Sequence, residues 1–340
     1  MSIDDDRELG WGIVATGGIA RSMASDLARL ENAALAAVSS RDLDRAQAFA
    51  GEFGVASAYD SVRKLVEDPD VDIVYVATPH PQHSHAVRLA AAAGKAVLCE
   101  KAFTHSLAET ESLVDEVRAR GVFCMEAMWT RFNPLIVKAR QMVADGAIGE
   151  VRSVSADLGF VAPTDPVHRL WNPALGGGVL LDVGIYPVAF AQMLLGVPQS
   201  VTVSGVLSEQ GVDAEVGMML SWPNGARAHL EASLTTPQAG GASIVGTLGR
   251  IEISPRFHRP GHMVHVSAPE RGVEHPEEFQ YAFEGRGYVP MLRAVAQAVR
   301  EGRTECPEMP LSDTVEVMRI LDDALQQLGV RYPDPAPTGE

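Results

Sequence analysis

Cysteine, basic charge and long apolar runs are all in short supply in this 340-residue chain. Cys99, Cys124 and Cys306 form an odd, widely spaced set. They make no disulfide framework and no paired-thiol metal motif. Cys99 and Cys124 lie in apolar runs and read as buried, reduced thiols. Lys and Arg total 28 against 44 Asp and Glu, a formal net charge of −16. Nucleic acid and anionic membrane both need a basic face, so neither is an expected partner. An anionic cofactor stays open, because backbone amides and one or two cations suffice to hold it. No stretch reads as long and apolar enough to cross a bilayer. The start, Met1-Ser-Ile-Asp-Asp-Asp6, is acidic where a secretory leader is basic. The expected compartment is the cytoplasm.

What is present suits a globular protein. Apolar residues make up 46% and charged residues 21%, and the length allows two domains with a large core. The first part alternates strand and helix patterns. Strands are predicted over 11–15, 35–39, 71–77, 96–99 and 122–125, and helices over 19–30, 43–53, 83–93 and 106–120. Short connections between them imply right-handed crossovers and a parallel sheet. The pattern changes near Trp129. A helix over 134–144 leads into strand-rich sequence at 150–158, 200–207, 214–222, 226–234, 249–253 and 263–266. Helices are expected over 180–195, 291–300 and 314–328. The predicted organisation is α/β: a dinucleotide-binding domain over 9–130, then an α+β domain with an open, mostly antiparallel sheet over 131–332. Tails over 1–8 and 333–340 read as flexible.

The turn after the first strand carries the first chemical signal. Ala15-Thr16-Gly17-Gly18-Ile19-Ala20 has the spacing of G-x-G-x-x-G/A, with alanine at the first glycine. Gly17 would let the backbone approach a pyrophosphate, and Ala20 would let the helix pack closely on the strand. The second strand ends in Ser39, Ser40 and Arg41 rather than a carboxylate, which suits a ribose 2′-phosphate and hence NADP, with NAD as the alternative. Asp42 reads as the N-cap of the next helix. Lys101 ends the strand 96–99 just after Glu100, where open parallel sheets bind ligands. His80, His83 and His85 do not fall at metal-ligand spacing, so no metal site is expected.

These segments, with Thr78-Pro-His80-Pro-Gln-His83, Glu100-Lys101 and Gly176-Gly-Gly-Val-Leu-Leu-Asp182-Val-Gly-Ile-Tyr186, resemble the Gfo/Idh/MocA oxidoreductase family over nearly the whole chain. Met125-Glu-Ala-Met-Trp129-Thr-Arg131-Phe132 makes it most similar to the group containing dimeric dihydrodiol dehydrogenases and NADP-dependent D-xylose dehydrogenases. The resemblance implies a Rossmann-type domain, a nicotinamide cofactor, and a small-molecule polyol, sugar or dihydrodiol substrate. It gives Lys101 a place against substrate and nicotinamide, Tyr186 the hydroxyl proton, and Asp182 the orientation of the substrate. Two positions depart from the family pattern. Ala102 stands for the proline of Glu-Lys-Pro, and His80 for the asparagine of Pro-Asn-x-x-His; the dihydrodiol group shares the histidine.

Chemistry gives these residues roles. An alcohol gives up a hydride only if its hydroxyl proton also leaves, which requires a placed base and a nearby cation. An ammonium beside a phenol favours the phenolate and stabilises a developing alkoxide. Thr16, Gly17, Gly18, Ile19, Ala20, Ser40, Arg41, Thr78, His80, His83, Glu100, Lys101, Trp129 and Arg131 are the expected cofactor residues. Arg131 is expected to meet a cofactor phosphate or the substrate. Lys101, Trp129, Arg169, Trp171, Asp182 and Tyr186 are the expected substrate residues. Asp182 and Tyr186 should share a helix face. The second sheet is expected to pair subunits into a homodimer or a dimer of dimers, through an apolar face drawn from Val203, Met218, Leu220 and Leu230. Two other readings stay open: a redox-assisted glycoside hydrolase that retains its cofactor, and a non-catalytic cofactor sensor on the same fold.

Overall fold

A computed structural model describes residues 7–270 and 273–333. The expected tails fall largely outside that range. Arg7, inside it, donates to Asp72 Oδ1 at 2.6 Å. The described chain divides into two compact units, one of residues 7–129 and 284–314, the other of 130–283 and 315–333. The return of 284–314 to the first unit departs from the uninterrupted second domain that the sequence suggests.

In the first unit six strands form one parallel sheet. They are β1 (Leu9–Val14), β2 (Ala33–Ser39), β3 (Ser57–Tyr59), β4 (Ile73–Val76), β5 (Ala96–Cys99) and β6 (Cys124–Glu126), in the order β3-β2-β1-β4-β5-β6. Every pairing is parallel. The order reverses between β1 and β4, and a doubly wound sheet binds its ligand outside the carboxyl ends at that point. Helices α1 (Gly18–Leu27), α2 (Leu43–Phe53), α3 (Val62–Glu67), α4 (His83–Ala92) and α5 (Leu107–Arg120) cross between the strands. Their ends follow capping chemistry. Asp42 accepts from the amides of Asp44 and Arg45 at the start of α2, and Gly54 closes it in the left-handed conformation. Ser106 caps α5 through the amide of Glu109. The β1, β4 and β5 residues are buried on both faces, as a sheet covered by helices requires. Cys99 and Cys124 lie in this core, where burial pushes their thiols up and out of the reactive range.

The returning segment is held by a buried acid. Asp26 on α1 accepts from the amides of Arg286 at 2.8 Å and Tyr288 at 2.9 Å, just ahead of α8 (Val289–Arg300).

In the second unit α6 (Pro134–Ala144) precedes an eight-stranded sheet. Its strands are β7 (Val151–Gly159), β8 (Ser200–Leu207), β9 (Asp213–Ser221), β10 (Arg227–Ser233), β11 (Ala242–Gly246), β12 (Gly249–Ile253), β13 (His262–Glu270) and β14 (Val273–Gln280). They run in the order β14-β13-β12-β11-β7-β10-β9-β8, and only β7 with β10 is parallel. One face is covered by a π-helical turn, Leu180–Gly184, and by α7 (Ile185–Leu195). The long helix α9 spans Leu311–Leu328.

Two expectations are corrected in this unit. Met218, Leu220 and Leu230 are buried, whereas the neighbouring Met219, His229 and Glu231 are exposed. With period-two alternation the apolar residues therefore face the helices. The open face mixes polar and apolar groups: Thr202, Ser204, His229 and Glu231 share a shallow depression of about 420 Å³ with exposed Met219 and half-buried Val203. The helical run Pro173–Leu195 also contains a window of mean hydropathy 1.7, long enough to cross a membrane, but 78% of that window is buried. A helix apolar all round belongs to a protein core as readily as to a bilayer.

Candidate active site

Three strand tips of the parallel sheet meet at one groove. Val14, Ala15, Thr16 and Gly17 follow β1; Ser39, Ser40 and Arg41 follow β2; Thr78 and Pro79 follow β4. All of them line one groove of about 680 Å³, with Arg45, Asp60, Lys64, Gln82 and His85. Ile19 and Ala20 lie just inside α1, with Ala20 fully buried against the sheet. Gly17 has φ −71°, open to any residue, and a Cβ there would meet no protein atom within 4 Å. Neither the backbone angle nor the protein's own packing asks for glycine at this position. Close approach of something held in the groove does. Ser39 Oγ and Thr78 Oγ1 point the same way, being buried and without a hydrogen-bond partner. Such atoms in a native fold call for a ligand or water. The donor set fits a dinucleotide.

The end of that groove beside β2 carries cationic side chains. Arg41 is exposed, with no ion-pair partner among the described residues. Arg45 sits 3.6 Å from Asp42, and Lys64 is 2.9 Å from Asp60. Asp42 is spent as a helix cap, as its sequence position suggests.

The β5 tip is braced from several sides. Tyr75 Oη donates to Glu100 Oε1 at 2.6 Å; burial and Glu100 push that phenol well above its ordinary range, so it stays a donor. Glu100 Oε2 accepts from the Lys101 amide at 3.2 Å. His83 is fully buried, with Nε2 2.7 Å from Thr78 O and Nδ1 3.0 Å from Ala102 O. It ties the loop after β4 to the loop after Lys101. Burial disfavours its charged form. Phe103 N donates to Glu126 Oε1 at 3.0 Å. This lattice holds the loop where the family has a proline and this chain has Ala102. The structure thus gives His83 a bracing role, where the sequence suggested a cofactor contact. His80 is buried beside it, with ring centroids 5.6 Å apart. Trp129 stacks on Tyr288 at 4.4 Å. Sequence reasoning missed Tyr288, because nothing local marks a residue that reaches this sheet from so far along the chain.

The remaining candidate residues belong to the second unit. Asp182 is in the π-helical turn and Tyr186 in the first turn of α7. The expected single helix over 180–195 is therefore divided. Pro187, which has no amide hydrogen, falls in that first turn of α7, where none is needed. Asp182 is bound by Arg169, Nη2 to Oδ1, at 3.0 Å. Trp171 Nε1 donates to Pro163 O at 2.6 Å, tying its loop back on itself. The His258 ring lies 5.2 Å from the Tyr186 ring, and Phe257 anchors its loop on Phe190 of α7 at 5.6 Å. His258 carried no sequence signal, since its loop has no motif. Arg131, expected to reach a cofactor phosphate, instead turns inward: it is 3% exposed and donates to Gln192 Oε1 at 2.5 Å and Ala189 O at 3.4 Å.

No cluster of metal-ligating side chains occurs among the described residues.

Comparison with known proteins identifies the family of each unit. Residues 9–128 match the model of an oxidoreductase family with an NAD-binding Rossmann fold, and residues 136–252 the model of the GFO/IDH/MocA C-terminal domain. Trans-1,2-dihydrobenzene-1,2-diol dehydrogenase of Mus musculus is 36% identical over 332 residues, covering 96% of this chain and 98% of that protein. The Homo sapiens enzyme of the same name is also 36% identical, with the same coverage. Among solved structures, aldose-aldose oxidoreductase from Caulobacter crescentus, complexed with glycerol, superposes with a TM-score of 0.84 at 27% identity, covering 95% of this chain and 98% of that one. A 3-ketoreductase from Actinomadura kijaniata, in complex with NADP and TDP-benzene, gives 0.80 at 26%, covering 94% and 98%. A levoglucosan dehydrogenase complexed with NADH and levoglucosan gives 0.87 at 21%, covering 95% and 98%, a likeness of fold. The chain belongs to the Gfo/Idh/MocA family and is a nicotinamide-dependent oxidoreductase.

Proposed function

We propose that this enzyme is an NADP-preferring dehydrogenase or reductase acting on a carbinol or carbonyl carbon of a neutral hydroxylated ring: a sugar, a cyclic polyol or a dihydrodiol. The observation that carries the cofactor choice is the β2 tip, where Ser39, Ser40, Arg41, Arg45 and Lys64 stand in one groove. Guanidinium and hydroxyl groups recognise a phosphate, whereas a ribose diol is met by a carboxylate. The substrate class follows from the arginines. Arg131 is buried in its own unit, and Arg169 is offset by Asp182. Neither of the two arginines in the family-like segments is then disposed to clamp a substrate carboxylate or phosphate. The names of the relatives, a dihydrodiol dehydrogenase and an aldose oxidoreductase, support the same class.

When bound, the nicotinamide supplies the hydride acceptor or donor. The protein's part is proton handling and electrostatics. Tyr186 takes the substrate hydroxyl proton on oxidation and returns it on reduction. Lys101 stabilises the oxygen while it carries negative charge. Asp182, turned by Arg169, accepts from a neighbouring hydroxyl and fixes which carbon presents its hydrogen. Homodimers or dimers of dimers pair through the open face of the eight-stranded sheet.

Binding titrations of NADP⁺ and NAD⁺ test the cofactor assignment. Arg41→Ala should weaken NADP⁺ about tenfold or more, the worth of one charge-assisted contact, and leave NAD⁺ nearly unchanged. Equal losses for both cofactors would contradict it.

A further inference from the structure

Beneath the glycine run that leads into the Asp182–Tyr186 helix lies a carboxylate with no assigned task. Asp213, at the start of β9, is fully buried, and its Oδ2 accepts from the Leu180 amide at 2.6 Å. Leu180 opens the π-helical turn that carries Asp182, and that turn passes directly into the first turn of α7 with Tyr186. The first amides of a helix have no partner of their own. Here a side chain from a strand supplies one.

The surroundings are built around that oxygen. Gly178 has φ +113°, and a Cβ on it would overlap Asp213 Oδ1. Tyr332, from the segment after α9, donates to Gly177 O at 2.8 Å. Gly178 N in turn donates to Leu170 O at 2.9 Å, one residue from Arg169, which holds Asp182. Asp213 and Tyr332 therefore grip the glycine run from below, and the run grips the loop that orients Asp182.

We propose that Asp213 is a positioning residue: its side chain fixes the helix start that sets Asp182 and Tyr186, and so acts on turnover without touching substrate. This rests on the reading of Tyr186 as the proton-transfer group.

The electrostatics agree. Asp213 has no salt-bridge partner among the described residues, and Oδ1 has no hydrogen-bond partner. The ionisable group facing it is the Tyr332 phenol, itself pushed up by burial and by Asp213. Asp182 on the helix is taken by Arg169, and Glu215, further along β9, by Thr235. Burial raises the Asp213 carboxyl to about 7, although the amides of Leu180 and Val179 pull it down. The native state thus keeps this proton to higher pH than the unfolded chain does. Stability is therefore lost as pH rises from the ordinary carboxylate range through about 7.

The test compares wild type, Asp213→Asn, Asp213→Ala and Tyr186→Phe. Turnover and substrate KM are measured from pH 6 to 9 with NADP⁺, together with thermal unfolding at both ends of that range. We expect Asp213→Ala to lose roughly tenfold to a hundredfold in kcat, as small displacements of reacting groups do, with cofactor affinity kept. Asp213→Asn should retain more activity than Asp213→Ala, lose the inflection near neutral pH, and melt higher than wild type at the alkaline end. Asp213→Asn with a wild-type pH profile, or with a lower melting temperature at both pH extremes, would overturn the proposal. Full activity in Tyr186→Phe would instead overturn the assignment on which it rests.

Discussion

The two units place their chemical groups by opposite means. In the first, each group sits at the carboxyl end of a parallel strand: Gly17 after β1, Ser40 and Arg41 after β2, Thr78 after β4, Lys101 after β5. The sheet is regular, so position along the chain fixes position in space. In the second, Asp182 and Tyr186 lie on a buried helix whose first turn is π-helical, fed by a glycine run and held by Arg169 and Asp213. Regular structure gives a general binding edge. Irregular structure, braced by buried polar groups, sets the orientation of individual side chains.

If this contrast is right, damage should differ in kind. The largest effects belong to the reacting groups. Tyr186→Phe and Lys101→Met should each lower kcat about a hundredfold or more, the scale of lost acid–base or oxyanion help, while NADP⁺ affinity measured by titration stays near wild type. Near-normal turnover in either variant would remove that residue from the mechanism. The Arg41→Ala effect comes second, and it should appear in binding alone. The smallest is a gain. Ala15 adopts φ +85° at the position where the nucleotide-binding fingerprint has glycine. A side chain there costs roughly 1 kcal/mol, so Ala15→Gly should raise the melting temperature by a small but measurable amount. A lower melting temperature would show that Ala15 is held there without strain.

The same contrast explains what the sequence disclosed. The parallel sheet was legible because alternation of strand and helix is a strong signal. The α2 and β5 limits, 43–53 and 96–99, match the structure. Short β3 and α3 went unread, too brief for periodicity to register. In the second unit β14 was hidden, since Val273-Glu-His-Pro276-Glu-Glu-Phe-Gln280 is charged and contains proline. Those are features of an edge strand that blocks further pairing. Residue identity likewise singled out Lys101 and Tyr186 as candidates through their motifs. Nothing in the sequence marked Asp213, His258 or Tyr288, whose parts depend on distant segments meeting. Direction was also invisible. Arg131 sits beside Trp129 in a suggestive motif, yet its guanidinium is satisfied by Gln192 and Ala189. Met218 and Leu230 looked like an exposed apolar surface and instead form the covered one, because alternation says which residues share a face but not which face is wet.

The central claim is nicotinamide-linked oxidation of a neutral ring carbinol, and one panel tests it directly. Purified enzyme with NADP⁺ is offered free pentoses, hexoses and cyclic vicinal diols beside sugar phosphates and sugar acids, and reduced cofactor is followed by absorbance. Reduction is expected with the neutral members, and clearly lower kcat/KM for the charged ones. Higher efficiency on the phosphates or acids, or binding of NADP⁺ with no reduction by any member, would contradict it.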